Sequence, residues 1–233
     1  MACGVYLNGG ANVTAMLTHD IRTSSPIATR AEVSTLVGVK PGRLTGWTHP
    51  THGRAPLVHT VNRSGHLTIP LVGIAEAAGL AALRHGGLSM QQARKAAEVI
   101  RANAGTEYAL ASPKLLTDGT DAFIEDDRGI WRLRDRQGAI REAFARHLRP
   151  LVLDEFGFVR AFHVEEFKES RVTIDPRFNA GRMSFESNRV PVFAVADALE
   201  AGESIDAVSD SFGLDRAAIA EVSKLLQWVG KVT

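Results

Sequence analysis

The sequence predicts a mainly helical α+β chain with a winged helix-turn-helix near its N-terminus, a small antiparallel β connector and a three-helix C-terminal domain. Apolar residues recur at helical spacing in both end regions, between cap and turn residues. From residue 107 to 170 the spacing changes to that of short strands. The 233 residues, 45% of them hydrophobic, can form one large core or two to three small ones. The predicted units are 1–28, 29–105, 106–170 and 171–233.

Residues 1–28 are predicted to form a flexible N-terminal segment. The stretch from Met1 to Ser25 is rich in glycine, asparagine, threonine and serine and shows little periodicity. Met16 is a second candidate for the first residue. The sequence therefore leaves open whether residues 1–15 belong to the native protein.

A pair of short helices follows this segment. Thr29 and Glu32 have the spacing of a capping box, which begins the first helix. Gly38 makes the turn, and the second helix runs from about Pro41 to Trp47, with proline at an early helical position. The predicted core of the pair is Val33, Leu36, Val37, Leu44 and Trp47.

The next stretch alternates apolar and polar residues around two turn signals. Leu57–Thr60 and Leu67–Ile69 are therefore predicted as the strands of a small hairpin or wing. Two longer helices follow, Leu71–His85 and Met90–Asn103, and Ser89 caps the second one. The first is rich in alanine and glycine, which allow another helix to approach closely. It therefore either marks a helix pair or dimer seam, or simply packs on the winged helix.

The connector is predicted from short apolar runs and turn residues. A hairpin signal at Asp118-Gly119 separates its first two strands, and a helix and a second strand pair follow. The pattern indicates a small antiparallel α+β module. The predicted strands are 115–117, 121–125, 130–134, 151–154 and 158–163, and the predicted helix is 138–148.

Two groups of possible metal ligands occur in the chain. The carboxylates lie on predicted turns and a strand edge, where they could bind a divalent ion or act as acid and base, but they lack the spacing of a calcium loop. The histidines match no common zinc pattern. Solvated surface residues are the favoured interpretation, and we expect no metal, no cofactor and no enzyme. The two groups are Asp118, Asp121, Glu125, Asp126 and Asp127, and His49, His52, His59 and His66.

The C-terminal region begins with a strand at Val172–Ile174, which Asp175-Pro176 ends because proline cannot donate to a strand ladder. Three helical segments follow, the first at about Pro191–Glu200. Ser204 caps the second, which ends at Gly213, and the third starts at Asp215. Its apolar face is Ala218, Val222, Leu225, Leu226 and Val229.

Charge is distributed unevenly along the chain. The net charge is only +1, but Thr29–Arg101 has nine lysines and arginines against three acidic residues. The middle and the C-terminal region are mildly acidic. This segregation indicates that the N-terminal part binds a polyanion and that the rest of the chain binds a basic protein. Ordinary scatter of surface charge is the alternative.

The chain is expected to be cytoplasmic. It has a single cysteine, Cys3, which can form no disulfide within the chain and is typical of a reducing compartment. No run of about 18 apolar residues is present, and the N-terminus lacks a basic start followed by an apolar core. We therefore expect neither a spanning helix nor a signal peptide.

Four short motifs occur in a fixed order in the C-terminal 60 residues and are followed by the closing helix. They are Ile174-Asp175-Pro176, Gly181, Asn188-Arg189-Val190-Pro191 and Ala201-Gly202-Glu203-Ser204. With this order the region resembles the bacterial domain of unknown function 433, which occurs in antitoxins of VapB type. Family members usually have Gly-Lys-Pro or Gly-Arg-Pro where this chain has Gly181-Arg182-Met183, and Gly-Thr-Arg where it has Ser187-Asn188-Arg189.

The N-terminal helix pair, which ends in Trp47 and precedes a predicted wing, resembles the MerR-type winged helix. The resemblance implies that the second helix lies in the major groove of DNA, with Trp47 in the core. Base-edge contacts would then supply sequence choice and phosphate contacts affinity. The DNA-binding residues implied are Arg30, Lys40, Arg43 and Thr45, with Arg54 and Arg63 on phosphates beside the wing.

Together these resemblances imply an antitoxin of a type II VapBC-like pair. Such a protein would bind and silence a PIN-like ribonuclease toxin, bind the operator DNA of its own operon and act as a homodimer. Two other classes stay open. One is a stand-alone MerR-like regulator whose C-terminal half senses a ligand. The other is a metal-dependent enzyme in which the acidic turns and histidines converge.

Overall fold

The computed structural model describes residues 21–50, 53–61, 68–104, 107–112, 123–126, 129–132 and 146–232. In this part of the chain no helix is long and apolar enough to span a bilayer. The helices are α1 (Ile21–Ser24), α2 (Arg30–Leu36), α3 (Pro41–Thr48), α4 (Leu71–His85), α5 (Met90–Ala104), α6 (Val192–Glu200), α7 (Ile205–Phe212) and α8 (Arg216–Val229). The strands are β1 (Phe123–Asp126), β2 (Gly129–Arg132), β3 (Leu151–Leu153), β4 (Val159–His163), β5 (Val172–Ile174) and β6 (Ser184–Phe185). Single 3₁₀ turns lie at Ala109–Ala111 and Asn179–Gly181, and residues 146–148 are helical.

Helix α4 is the central element of the core. Every residue from Leu71 to Leu83 is buried, on all sides of the helix. Small side chains make this possible, because alanine and glycine let α1, α5, the 109–111 turn and β4 approach closely. A β-carbon on Gly73 would collide with the carbonyl oxygen of His59. Of the two predicted roles for this helix, the dimer seam is wrong, since the same chain already covers its faces.

The prediction that residues 1–28 form a flexible segment needs correction. Within the predicted flexible segment 1–28, residues 21–28 are ordered and packed, and residues 1–20 lie outside the described part of the chain. Ile27 and Ala28 are buried, and Ala28 forms an antiparallel bridge with Ile69. Arg22 forms an ion pair with Asp154. Apolar burial and this ion pair hold a segment that composition alone predicts to be loose.

The predicted first wing strand, Leu57–Thr60, is also wrong. These residues form an irregular segment in which Leu57 and Val58 are both buried. Strand residues alternate between two faces, whereas these neighbours both turn inward. Ile69 of the predicted second strand pairs with Ala28 instead. Residues 62–67 lie outside the described part of the chain.

A four-stranded antiparallel sheet joins the connector to the C-terminal region, in the order β3-β4-β5-β6. The predicted strand pair in the connector is confirmed as β3 and β4, and the predicted strand at Val172–Ile174 is confirmed as β5. Phe162 of β4 lies opposite Ile174 of β5. The sheet therefore crosses the predicted boundary at residue 171. Isolated pairs of such short strands are marginal, and a shared sheet with one buried face is more stable.

A separate two-stranded sheet pairs β1 with β2, in the register Phe123 opposite Arg132. Strands are thus present near both predicted positions, 121–125 and 130–134, with shifted ends. The predicted strand 115–117, its turn at Asp118-Gly119 and the start of the predicted helix 138–148 lie outside the described residues. Among the described residues, no three His, Cys, Asp or Glu side chains come together as metal ligands.

The three C-terminal helices are confirmed as α6, α7 and α8. Ser204 Oγ accepts from the backbone N–H of Ala207 at 3.2 Å, and Gly213 ends α7 in the left-handed region at φ 62°. Ala218, Val222 and Val229 of α8 are buried against α6. The fold of this part of the chain is therefore α+β, with a helical bundle on the edge of a small sheet.

Candidate nucleic-acid interface

The N-terminal helix pair is defined by its cap and its turn. The side-chain oxygen of Thr29 accepts from the N–H of Glu32 at 3.2 Å, and the Glu32 carboxylate accepts from the N–H of Thr29, so the predicted capping box is confirmed. Gly38 adopts φ 68°, in the left-handed region, where a side chain would be strained. This residue lets the chain reverse between α2 and α3.

Helix α3 is oriented by one buried face. Leu44, Trp47 and Thr48 are all buried, and the indole Nε1 of Trp47 donates to the sulfur of Met90 on α5 at 3.2 Å. The prediction that Trp47 lies in the core is confirmed. Since this face is anchored, the opposite face of α3 points to solvent.

The exposed side of α3 carries a cation, a hydroxyl and two glycines, and a second cation stands at its N-cap. Lys40, Arg43 and Thr45 are exposed. At 3.6 residues per turn, Gly42 and Gly46 lie opposite the buried face, at the centre of the exposed one. A β-carbon on either glycine would meet no other atom within 4 Å. Nothing within the described chain therefore requires glycine there, and the helix backbone is open to a close approach from outside.

The six residues predicted to contact DNA differ in their surroundings. Arg30 Nε donates to Thr48 Oγ1 at 3.1 Å, so this arginine ties the start of α2 to the end of α3. Arg54 is exposed in the segment that follows α3. Arg63 lies outside the described residues. The fold thus gathers Lys40, Arg43 and Thr45 on one helix.

The C-terminal end of α3 is held by the segment 57–59. The carbonyl oxygen of Trp47 accepts from the N–H of Leu57 at 2.8 Å and from the N–H of Val58 at 3.1 Å. Arg101 of α5 donates through Nη2 to the carbonyl oxygen of Leu57 at 2.7 Å. This segment therefore connects the exposed helix to the core.

A buried ion pair beneath this segment was missed by sequence reasoning. Glu76 of α4 is 1% exposed, and its carboxylate accepts from Arg101 Nη2 at 2.9 Å and from the N–H of His59 at 2.6 Å. Burial raises the pKa of Glu76 to about 7, although Arg101 and the His59 N–H act in the opposite direction. The signal in the sequence was a lone carboxylate in the otherwise apolar stretch 71–83.

Two family models match this chain. Residues 26–97 match the family described as "Putative DNA-binding HTH domain", which spans the helix pair, α4 and part of α5. Residues 172–224 match the family described as "Protein of unknown function (DUF433)". The second match confirms the resemblance predicted from the C-terminal motifs.

A curated protein and a crystal structure, both from Mycobacterium tuberculosis, are similar over most of the chain. "Putative antitoxin VapB45" is 29% identical over 219 residues, which cover 84% of this chain and 91% of that protein. The crystal structure of Rv2018 superposes with a TM-score of 0.65 at 22% identity, covering 87% of this chain and 99% of that one. The predicted resemblance to antitoxins of VapB type is confirmed.

Proposed function

We propose that this chain is the antitoxin of a type II VapBC-like pair, which neutralises a PIN-like ribonuclease toxin and binds its own operator DNA. The proposal rests on one combination. A helix-turn-helix with an exposed cationic helix occurs in a chain of which 84% is similar to a VapB-named protein. Among the described residues, no membrane-spanning helix or three-ligand metal cluster favours another class.

In this proposal α3 lies in the major groove of DNA. Lys40 is the N-cap of α3 and makes no side-chain cap, so its ammonium can meet a phosphate together with the N–H of Gly42. Pro41 has no N–H, and the N–H of Arg43 donates to the carbonyl oxygen of Lys40 at 2.9 Å. Arg43 is placed one turn further along, where a guanidinium can donate two hydrogen bonds to a guanine edge. Lys40 would then supply affinity, and Arg43 would supply sequence choice. In a homodimer, the two copies of α3 would read half-sites one helical turn apart.

The glycine centre of α3 provides a prediction of its own. Replacing Gly42 and Gly46 with alanine should raise the free energy of unfolding by about 1 to 2 kcal/mol, because glycine is a poor helix former and both sites have room. The two methyl groups should also separate the helix from a groove and weaken operator binding about 10-fold. Urea unfolding and fluorescence anisotropy with operator DNA measure the two effects.

An exposed alanine substitution on α8, Ser223→Ala, is the matched control for this pair. It should leave operator affinity unchanged. If the double alanine variant is more stable but binds the operator as tightly as the wild type, the exposed face of α3 does not touch DNA.

The toxin half of the proposal is tested by co-expression with the product of the neighbouring reading frame. Size-exclusion chromatography should show the two proteins eluting as one complex. The Lys40→Ala/Arg43→Ala variant should form the same complex, because α3 is assigned to DNA. Separate elution of two folded proteins would contradict the antitoxin function.

A stand-alone regulator is the second candidate, and a groove in the C-terminal half favours it. The groove has a volume of about 470 Å³ and lies between residues 169–171, the end of β6 and the start of α8. Its lining includes the buried side chains of Phe185 and Leu214 together with charged residues. This candidate requires a ligand that changes operator affinity in the absence of any partner protein.

A further inference from the structure

Within the C-terminal region, net positive charge is found only in the first twenty residues. The segment 171–190 has four arginines and two acidic residues, whereas 191–231 has three basic and seven acidic residues. Every basic residue in the first segment is an arginine. Arg160 of β4 lies nearby, since it stands two residues before Phe162, whose partner on β5, Ile174, directly precedes Asp175. We call Arg160, Arg177, Arg182 and Arg189 the arginine patch.

Aromatic rings orient three of these guanidinium groups. Arg177 and Arg189 both lie over the ring of Phe178, with Cζ at 5.4 and 4.3 Å from its centroid. Arg182 lies over the ring of Phe193 at 5.3 Å. A guanidinium stacked on a ring keeps its N–H groups directed outward in one plane, which is the geometry that binds phosphate through two hydrogen bonds.

One acidic residue lies within the patch. Asp175 is buried and accepts from Arg177 Nε at 3.0 Å and from Arg177 Nη2 at 2.6 Å. This pair fixes Arg177 and offsets its charge. Arg160 and Arg182 are exposed and Arg189 is half-buried, so all three reach solvent.

Arg189 has a backbone conformation that arginine rarely adopts. Its φ is 64°, and among the described residues the other non-glycine residues with positive φ are its neighbours in space, Asn179 and Ala180. Asn179 Nδ2 donates to the carbonyl oxygen of Arg189 at 2.6 Å and holds it there. The left-handed region costs a side-chain-bearing residue about 1 to 2 kcal/mol. Glycine would be the more stable choice at this position, so the guanidinium is present at a cost in stability.

The arginine patch adjoins the helix-turn-helix. Gly181 lies so close to Ile27 that a β-carbon on the glycine would collide with the isoleucine side chain. Ile27 stands three residues before Arg30, the first residue of α2. Arg22 of α1 donates to the carbonyl oxygen of Val159 at 3.2 Å, directly before Arg160. The patch is therefore beside the start of α2.

We propose that the arginine patch is a second phosphate-binding surface, which contacts duplex DNA beside the site read by α3. The inference rests on the proposed operator binding and extends the footprint of the protein on DNA. Duplex DNA fits better than an acidic protein for two reasons. Planar guanidinium forks match phosphate oxygens, and a duplex held by α3 presents a phosphate every 3.4 Å or so along each strand.

The test uses the full chain and a duplex of about 40 base pairs taken from upstream of its own gene. Fluorescence anisotropy is measured across a series of potassium chloride concentrations. Arg182→Ala and Arg189→Gly should each weaken binding about 5- to 10-fold and reduce the salt slope by about one. Arg189→Gly should melt at the same temperature as the wild type or higher, because glycine suits φ 64°.

Arg216→Ala is the matched control, because Arg216 is exposed in the acidic half of the region and pairs with Asp206. It should leave the affinity and the salt slope unchanged. If both patch variants bind the duplex with wild-type affinity and salt slope, the phosphate-binding role of the arginine patch is overturned and operator binding by α3 still stands. If these variants no longer co-elute with the toxin, the arginine patch contacts the protein partner instead of DNA. Failure of the wild type to bind the duplex would overturn the operator proposal as well.

Discussion

Replacing Lys40 and Arg43 together with alanine is expected to weaken operator binding about 100-fold. A specific arginine contact to a base contributes about 1 to 3 kcal/mol, and a lysine contact to a phosphate adds a salt-dependent part. Both side chains are exposed, so their removal should not change the melting temperature. The expected result is a large loss of affinity in a normally folded protein.

This prediction is measured by fluorescence anisotropy at several salt concentrations, beside thermal unfolding of the same samples. The salt slope should fall by about one for Lys40, and discrimination between operator and random duplex should fall for Arg43. The double variant Arg216→Ala/Lys224→Ala removes the same charge from α8 and is the control. Equal affinity of the α3 variant and this control would assign α3 a purely structural role.

Replacing Glu76 with alanine is expected to lower the free energy of unfolding by about 3 kcal/mol or more. The change would leave the Arg101 guanidinium and the N–H of His59 without the carboxylate that accepts from them. Breaking a buried ion pair from one side typically costs about 3 to 5 kcal/mol. The segment 57–59 should also loosen, which would weaken the support for the end of α3.

The pH dependence provides a second check on Glu76. Its pKa in the folded state is about 7, above the ordinary value of 4.5, so the folded chain binds the proton more tightly than the unfolded chain. The contribution of this group to stability is complete below pH 4.5 and is lost as the pH rises through 7. Between these two pH limits the contribution of Glu76 to the free energy of unfolding changes by about 3 kcal/mol.

Glu76→Gln isolates this contribution, because glutamine keeps the shape of the side chain and does not titrate. Urea unfolding of both proteins between about pH 5 and pH 8 should show that the wild type loses stability relative to the glutamine variant as the pH rises. Parallel curves for the two proteins would mean that Glu76 stays ionised throughout this range.

Local patterns predicted much of the secondary structure. The capping box at Thr29, the helix pair α2–α3, the bounds of α4 and the three C-terminal helices all follow from spacing, caps and glycine turns. These signals act over a few residues along the chain, so they are visible without knowledge of the fold. The wing strand at 57–60 was wrong because burial of two neighbouring residues overrides an alternating pattern.

The candidate surface was only partly predictable. Arg43 and Thr45 lie on the two flanks of the exposed glycine face because helical spacing places them there, and Lys40 stands at the N-cap. The tie between Arg30 and Thr48 joins two helices and could not be read from either one. Glu76 and Arg101 meet across 25 residues, and the arginine patch depends on rings and left-handed residues that the chain brings together only when folded.

The order of the helices, the caps that begin them, the exposed cations of α3 and the resemblance at each end can all be read from the amino-acid sequence. The tertiary structure decided that α4 is the centre of the core, that one sheet joins the connector to the C-terminal region, and that the loop around Gly181 adjoins the helix-turn-helix. These two groups of features differ because the forces behind them act over different distances along the chain. Helix caps and periodicity depend on neighbours in sequence, whereas burial, ion pairs and close backbone contacts depend on residues that only folding makes neighbours.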